Sequence, residues 1–354
     1  MAILQRRKNY CTLPPDPMQV PTFTKIDAMS TVNPTVPAPA SHLRWRHILA
    51  DYGIVLAFIV LCTVLSLANE NFLTWGNWVN ILRQTSINGI LAIGMTYVIL
   101  TKGIDLSVGS LLAVSGIVAA SFVTGESASH PMVGIAAGLA VGAVLGAVNG
   151  GLIAGLAVAP FVVTLGMLSV ARGLTFIYND GMPIAALSPG FRYIGQGMVA
   201  GIPVPVVILA ATFLVFWFVL RYTTFGRAVY AVGGNEKSAK TSGINTGRVI
   251  FMVYVISGAL SALAGLILAA RTTSALPQAG VAYELDAIAA VVIGGTSLSG
   301  GVGSLTGTLI GALIIGVINN GLDLLGVSSY YQQVIKGAII VAAVLLDVSR
   351  KKRS

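Results

Sequence analysis

From residue 52 onward, long apolar runs alternate with short polar stretches. Ten runs follow one another, at about 52–68, 87–101, 104–123, 132–155, 159–177, 203–220, 249–270, 284–298, 304–325 and 332–347. They do not alternate with period two, which argues against the strands of an outer-membrane barrel. A helix that crosses a bilayer needs about 20 predominantly apolar residues. The pattern therefore predicts an all-α polytopic membrane protein with about ten transmembrane helices. The shortest runs lie near the lower length limit, which leaves room for broken or re-entrant elements. A short segment with Trp75 and Trp78 precedes the second run and reads as interfacial, where indoles favour the headgroup level.

Composition narrows the classes further. Hydrophobic residues make up 55% of the 354 and charged residues only 9%. A soluble domain carries about 25% charged residues, so a soluble enzyme is excluded, with a disordered chain and a disulfide scaffold. The 41 glycines suit close helix packing in lipid. Cys11 and Cys62 read as two free thiols. His42, His47 and His130 show no metal-ligand spacing.

The net charge of +9 is an orientation signal. Fifteen of the 21 basic residues fall in three groups. Arg6, Arg7, Lys8, Lys25, Arg44 and Arg46 precede the first run. Arg221, Arg227, Lys237, Lys240 and Arg248 follow the sixth, and Arg350, Lys351, Lys352 and Arg353 follow the tenth. The positive-inside rule puts all three in the cytoplasm. An even number of spans with both termini inside satisfies that, and no nucleic-acid partner is needed to explain the charge.

Residues 1–43 hold seven of the fourteen prolines and no apolar run. They read as a Pro-rich flexible cytoplasmic tail, without the apolar core of a signal peptide. The transmembrane domain is expected over 44–349, with a cytoplasmic loop at 221–248, and a basic cytoplasmic tail at 350–354.

Polar residues inside this frame are the candidates for function. In the loop, Asn235 can cap a short surface helix, Glu236 suits its first turn, and Gly243 can end it. Gly233 and Gly234 permit a sharp approach. Such a helix is a docking element for a soluble partner, or else part of an ordinary cytoplasmic loop. Asp105, between the second and third runs, is a buried-charge candidate with Lys102 as a partner, or a cap for the next helix. Glu284 and Asp286 open the eighth run as helix-start residues or pathway groups. Asn149, Asn319 and Asn320 can line a polar path or join helices. Residues 97–111 and 291–305 share Val-Ile and Val-Gly-Ser-Leu steps, a weak internal repeat. The chain has no phosphate-gripping G-x-x-x-x-G-K-[ST] motif, and the glycine-rich stretch 294–303 lacks the lysine. It lacks a convincing G-x-S-x-G nucleophile elbow. The chain is thus expected not to be an enzyme and to hold no cofactor or metal itself. Asp105, Glu284 and Asp286 are few for a proton relay, so an ion-coupled secondary transporter stands as the alternative from a different class.

Three stretches carry a family resemblance: GMTYVILTKGIDLSVGSLLAVSG at 94–116, FGRAVYAVGGNEKSAKTSGIN at 225–245, and the segment 282–337 from AYELDAIAAVV to QQVIKG. The chain resembles the membrane permeases of bacterial ABC importers for monosaccharides, those for ribose most closely. The likeness runs from about residue 50 to the C-terminus. It implies a multi-pass inner-membrane permease, with ribose as the substrate and xylose, arabinose, allose or galactose as alternatives. It also implies a homodimer, a periplasmic sugar-binding protein, and an ATP-binding subunit with two fused nucleotide-binding domains that holds ATP and Mg. The periplasmic loop at about 178–202, with Asp180 and Arg192, would meet the binding protein. Residues 235–243 match the family's coupling element, with Glu236, Ala239 and Gly243 in place and Lys237 and Ser238 at its alanine positions. No sugar-contacting residue transfers.

Overall fold

Thirteen helices and one two-residue hairpin make up the structure, a computed structural model that describes residues 41–125 and 128–351. In chain order the helices are α1 (Ser41–Ala68), α2 (Trp75–Leu100), α3 (Val108–Phe122), α4 (Pro131–Leu156), α5 (Pro160–Tyr178) and α6 (Pro189–Gln196). After the hairpin β1 (Met198–Val199) and β2 (Ile202–Pro203) come α7 (Val204–Tyr222), α8 (Thr224–Gly234), α9 (Glu236–Thr241), α10 (Thr246–Thr272), α11 (Tyr283–Ile293), α12 (Leu305–Leu324) and α13 (Ser329–Lys351). Each of the ten apolar runs lies largely within a helix. Among the described residues five helices, α4, α5, α7, α10 and α12, are long and apolar enough to cross a membrane. The chain from Ile48 on forms one compact unit.

Several boundaries differ from the expectation. Residues 41–43 of the expected tail already belong to α1, and 1–40 lie outside the described residues. Basic residues 350 and 351 close α13. Trp75 and Trp78 lie not in a separate short segment but in the first turn of a continuous 26-residue helix. Trp78 packs edge-on against Phe72, and Leu65, Phe72, Ile81 and Val317 join α1 to α2 and α12.

Two helices are half-length. At about 1.5 Å per residue, the 11 residues of α11 rise only about 16 Å, and the 15 of α3 about 22 Å, against a hydrocarbon core of about 30 Å. Each follows a long helix that ends in left-handed backbone. Lys102 (φ 66°) precedes Gly103 after α2, and Thr273 (φ 55°), Gly280 (φ 71°) and Ala282 (φ 65°) mark the segment after α10. The two half-helices start side by side at Gly109 and Gly280. A Cβ on either glycine would strike the carbonyl oxygen of the other, so only glycine allows the crossing.

The order long helix, break, half-helix and two further helices thus occurs twice, in α2–α5 and α10–α13. The packing pairs match as well: α2 lies on α11 and α12 as α10 lies on α3 and α4. The half-helices point opposite ways. α3 runs to the end where Ser188, at the start of α6, bonds Val123, and α11 runs to the end where Gly301 bonds Leu100. This is an inverted repeat. The expected repeat, 97–111 over 291–305, instead overlays the α2–α3 junction on the α11–α12 junction. Both are glycine-rich helix ends, but they are not equivalent in the order of elements.

Glycine also sets the tightest helix pair. Gly134, Gly138, Gly142, Gly146 and Gly150 recur every fourth residue along one face of α4. The last four lie against α10, where a Cβ would meet Leu266, Ala262, the Tyr254 carbonyl and Phe251 in turn. Small residues at this spacing let backbones approach in lipid, where van der Waals packing replaces the hydrophobic drive.

Candidate functional site: the coupling end and the buried polar joint

The segment 223–248 is built by three successive side-chain caps. Thr223 accepts from the Gly226 amide at 3.2 Å, Asn235 from Ser238 at 3.0 Å, and Asn245 from Arg248 at 2.9 Å, opening α8, α9 and α10. Each satisfies an amide that the first helical turn leaves free. α9 ends as expected at Gly243 (φ 84°), with the Ile244 amide bonded back to the Ala239 carbonyl. Ala239 alone in α9 is buried, while Glu236, Lys237, Ser238, Lys240 and Thr241 face outward. The result is a short polar helix fixed by one apolar foot.

The sequence reading missed α8. Gly233 and Gly234 are not a sharp loop but the last turn of that helix. Gly233 lies against the Leu100 carbonyl and the Gly301 amide, closer than any Cβ permits. Lys102 donates to the Gly234 carbonyl at 3.3 Å, and Tyr230 donates to the Gly303 carbonyl at 2.8 Å. Burial pushes the Tyr230 phenol up and Arg221 pulls it part way back. The glycine-rich stretch 294–303 is therefore a packing element between α2 and α8, consistent with its missing phosphate lysine.

Deeper in the fold, Asp105 is fully buried. Lys102 does not pair with it, because its ammonium is committed to α8. Ser107 stands at the N-cap of α3, and Asp105 serves that helix start by accepting the Ser107 amide. The Ser107 amide (3.0 Å), the Ser107 hydroxyl (2.6 Å) and the Ser257 hydroxyl (2.8 Å) all donate to its carboxyl oxygens. Asn149 donates to Ser107 Oγ at 3.0 Å. Asp105 thereby ties the break before α3 to the middle of α10, and Ser107 ties it to α4.

A second polar group joins α11, α12 and α13. Lys336 Nζ lies 3.0 Å from Asp286 Oδ2, and Asn319 Nδ2 donates to the same oxygen at 3.3 Å. Asn320 and Asn77 exchange amide hydrogen bonds at 2.8 and 3.0 Å, joining α12 to α2. Glu284 and Asp286 both sit in the first turn of α11, as expected. Glu284 lies against Gly109, at the half-helix crossing.

Two residues went unnoticed in the sequence. Arg172 of α5 donates to the Pro277 and Ala279 carbonyls at 2.6 and 2.8 Å, satisfying the broken segment before α11. Lys336 is the other. Both lie inside apolar runs, where a lone cation is itself a signal of a specific partner.

A cavity of about 780 Å³ opens beside α9, between Thr101–Gly103, the α4–α5 turn and the start of α10. A second, of about 310 Å³, lies toward the α6 end among α3, α10 and the segment 274–283. Among the described residues no cluster of His, Cys, Asp and Glu is suited to a metal ion.

Residues 77–344 match the family described as branched-chain amino acid transport system / permease component. The chain is 52% identical over 312 residues to the ribose import permease of Bacillus subtilis, covering 88% of this chain and 96% of that one. It is 51% identical over 297 residues to the ribose import permease of Escherichia coli, covering 83% and 92%. The L-arabinose transport system permease of Escherichia coli is 36% identical over 315 residues, covering 89% and 95%. No solved structure matches the chain.

Proposed function

The chain belongs to the branched-chain amino acid transport system / permease component family, and from that premise we propose that it is the membrane subunit of an ATP-driven ribose importer. Near-full-length likeness to ribose import permeases carries this reading. L-arabinose and D-allose permeases are more distant relatives and supply the alternative substrates. The subunit is not an enzyme but a permease, in the inner membrane. It crosses the membrane about ten times, with α3 and α11 as half-spans and both termini in the cytoplasm.

ATP and Mg are held by a partner with two fused nucleotide-binding domains, and a periplasmic binding protein delivers the sugar. Two permease copies form the pore. The coupling face is α8–α9, with Asn235, Glu236, Ala239 and Gly243 shaping the docking helix and Gly233 and Gly234 seating it on α2. Its capped, outward-facing polar helix supports that role. Closure of the ATPase is converted into alternating access of the inverted halves. Asp105, Glu284 and Asn320 join one half to the other, while Asn149 braces α3 against α4 and Asp286 and Asn319 brace α11 against α12 within theirs.

Proteoliposomes holding the permease with its ATPase and binding protein test the reading. Ribose accumulates only when ATP is supplied. Uptake at the same rate without ATP, driven by a proton or sodium gradient, would refute it.

A further inference from the structure

Residues 274–279, in the break before α11, are held in place from outside. They lie between two left-handed residues, Thr273 (φ 55°) and Gly280 (φ 71°). The stretch is tied at three positions. Ile184 and Ala275 exchange backbone hydrogen bonds at 3.0 and 2.8 Å. Arg172 of α5 donates to the Pro277 and Ala279 carbonyls. Ile184 lies in the loop that leads from α5 to α6, so all the ties come from one continuous piece of chain. The same stretch lines the cavity of about 310 Å³, whose other walls include Leu112 and Gly116 of α3 and Gly265 and Ala269 of α10.

The ties differ in kind. Ile184 and Ala275 are buried together with Leu187 and Phe191, so their bridge is shielded and durable. Arg172 bonds neutral backbone, while Glu284 acts on its guanidinium from beyond salt-bridge distance. Charge-assisted bonds of this kind are firm. Breaking them here does not strand the cation, because Glu284 stays beside it. Left-handed backbone is unfavourable for threonine, so the stretch keeps its place because α5 and the loop hold it. Gly280 cannot slide, since its carbonyl faces Gly109 at the half-helix crossing, but it can pivot. We propose that residues 274–279 form a lid on this cavity, hinged at Thr273 and Gly280 and latched by Arg172, and that a load on the loop after α5 lifts it through the Ile184–Ala275 bridge. Arg172 is thus a positioning residue for transport. The inference rests on the sugar-import reading for the source of the load, a binding protein seated on the outer loop. A few residues at the ends of a moving element suffice to absorb such a change.

Ala269, 3% exposed, reports on the cavity. Ala269→Cys is placed in a Cys11→Ser, Cys62→Ser chain and assembled with its ATPase in nanodiscs, where a charged thiosulfonate measures how fast the thiol reacts. Arg172→Gln speeds that reaction about 10- to 100-fold, the worth of a charge-assisted hydrogen bond. A control thiol, Ala239→Cys at the buried foot of α9, reacts at the same rate with or without Arg172. The ribose-loaded binding protein speeds the reaction of Ala269→Cys when Arg172 is present and adds nothing to Arg172→Gln. An unchanged rate at Ala269→Cys, equal rises at both thiols, or the same effect of the binding protein, or none, with and without Arg172 would overturn the latch. If Arg172→Gln does not fold, Arg172→Lys takes its place: it keeps a cation but loses the fork that spans two carbonyls, and the rate rises about 3- to 10-fold. The same assembly in proteoliposomes tests the importer reading separately. If it accumulates no ribose with ATP, that reading fails, while the effect of Arg172→Gln on the two thiols still decides the latch.

Discussion

The ion pair between Asp286 and Lys336 fixes α13 to α11, and its two ends are not equivalent. The Asp286 side chain is 3% exposed and the Lys336 side chain 21%. Lys336→Met leaves Asp286 buried with only the long bond from Asn319 at 3.3 Å. Stripping the partner from a buried charge costs about 3–5 kcal/mol, and partial access of water to Lys336 places this case near about 3. Asp286→Asn leaves the cation instead. Its flexible stem can carry the ammonium toward water, so the loss is about 1 kcal/mol. The double variant has no orphaned charge and returns to within about 1 kcal/mol of the parent. At about 2–4 °C per kcal/mol for a large domain, the melting midpoint falls by about 6–12 °C for Lys336→Met and about 2–4 °C for Asp286→Asn. Thermal unfolding of the permease in matched nanodiscs reads these shifts. Equal losses, a greater loss from Asp286→Asn, or a double variant worse than either single change would refute the argument.

Other outcomes follow from the same geometry. Asp105→Asn keeps an acceptor and the shape of the joint, so ATP-driven uptake persists, whereas Asp105→Ala strands the buried Ser107 amide and costs about 2–4 kcal/mol; uptake and melting midpoints distinguish the two. Gly146→Val forces a branched side chain into the Tyr254 carbonyl and Gly258, and the misfit exceeds the about 1–3 kcal/mol of ordinary overpacking, seen as lost expression of folded protein by size-exclusion chromatography. Gly243→Pro and Glu236→Ala weaken retention of the ATPase on copurification while the spans stay folded. Deletion of residues 1–40 leaves transport intact at matched expression.

What was legible in the sequence was local. Hydropathy located every long helix, because a bilayer demands an uninterrupted apolar surface. Asn235, Glu236 and Gly243 announced α9, because caps act over three or four residues. Partnerships across the fold were not legible. Asp105 meets Ser257 across 152 positions, and an ordinary serine carries no mark of that role. The tempting partner, Lys102, was only three residues away and turned out to serve α8. The half-length of α11 was hidden because the uncharged stretch 294–298, Gly-Gly-Thr-Ser-Leu, reads as part of the same run, whereas the helix ends at Ile293. Arg172 and Lys336 were visible as cations within apolar runs, yet their partners lie far along the chain, in the segment before α11 and on α11.

These long-range contacts define how motion can pass between the ends. α9 is joined to α10 through Asn245, which caps the latter, and the preceding α8 is joined to α2 through the seat of Gly233 on Leu100. α10 carries Tyr254 and Ser257 on toward the Asp105 joint, which holds the break before α3. α3 in turn crosses α11 at the Gly109–Gly280 contact, where neither backbone has room to yield. A displacement of α9 therefore cannot be absorbed in a flexible loop. It must move α10 against the glycine face of α4, or open the break between α2 and α3. The first is a place where the inverted halves meet through small residues, so sliding there costs few contacts, whereas the second breaks the Ser257–Asp105 bond.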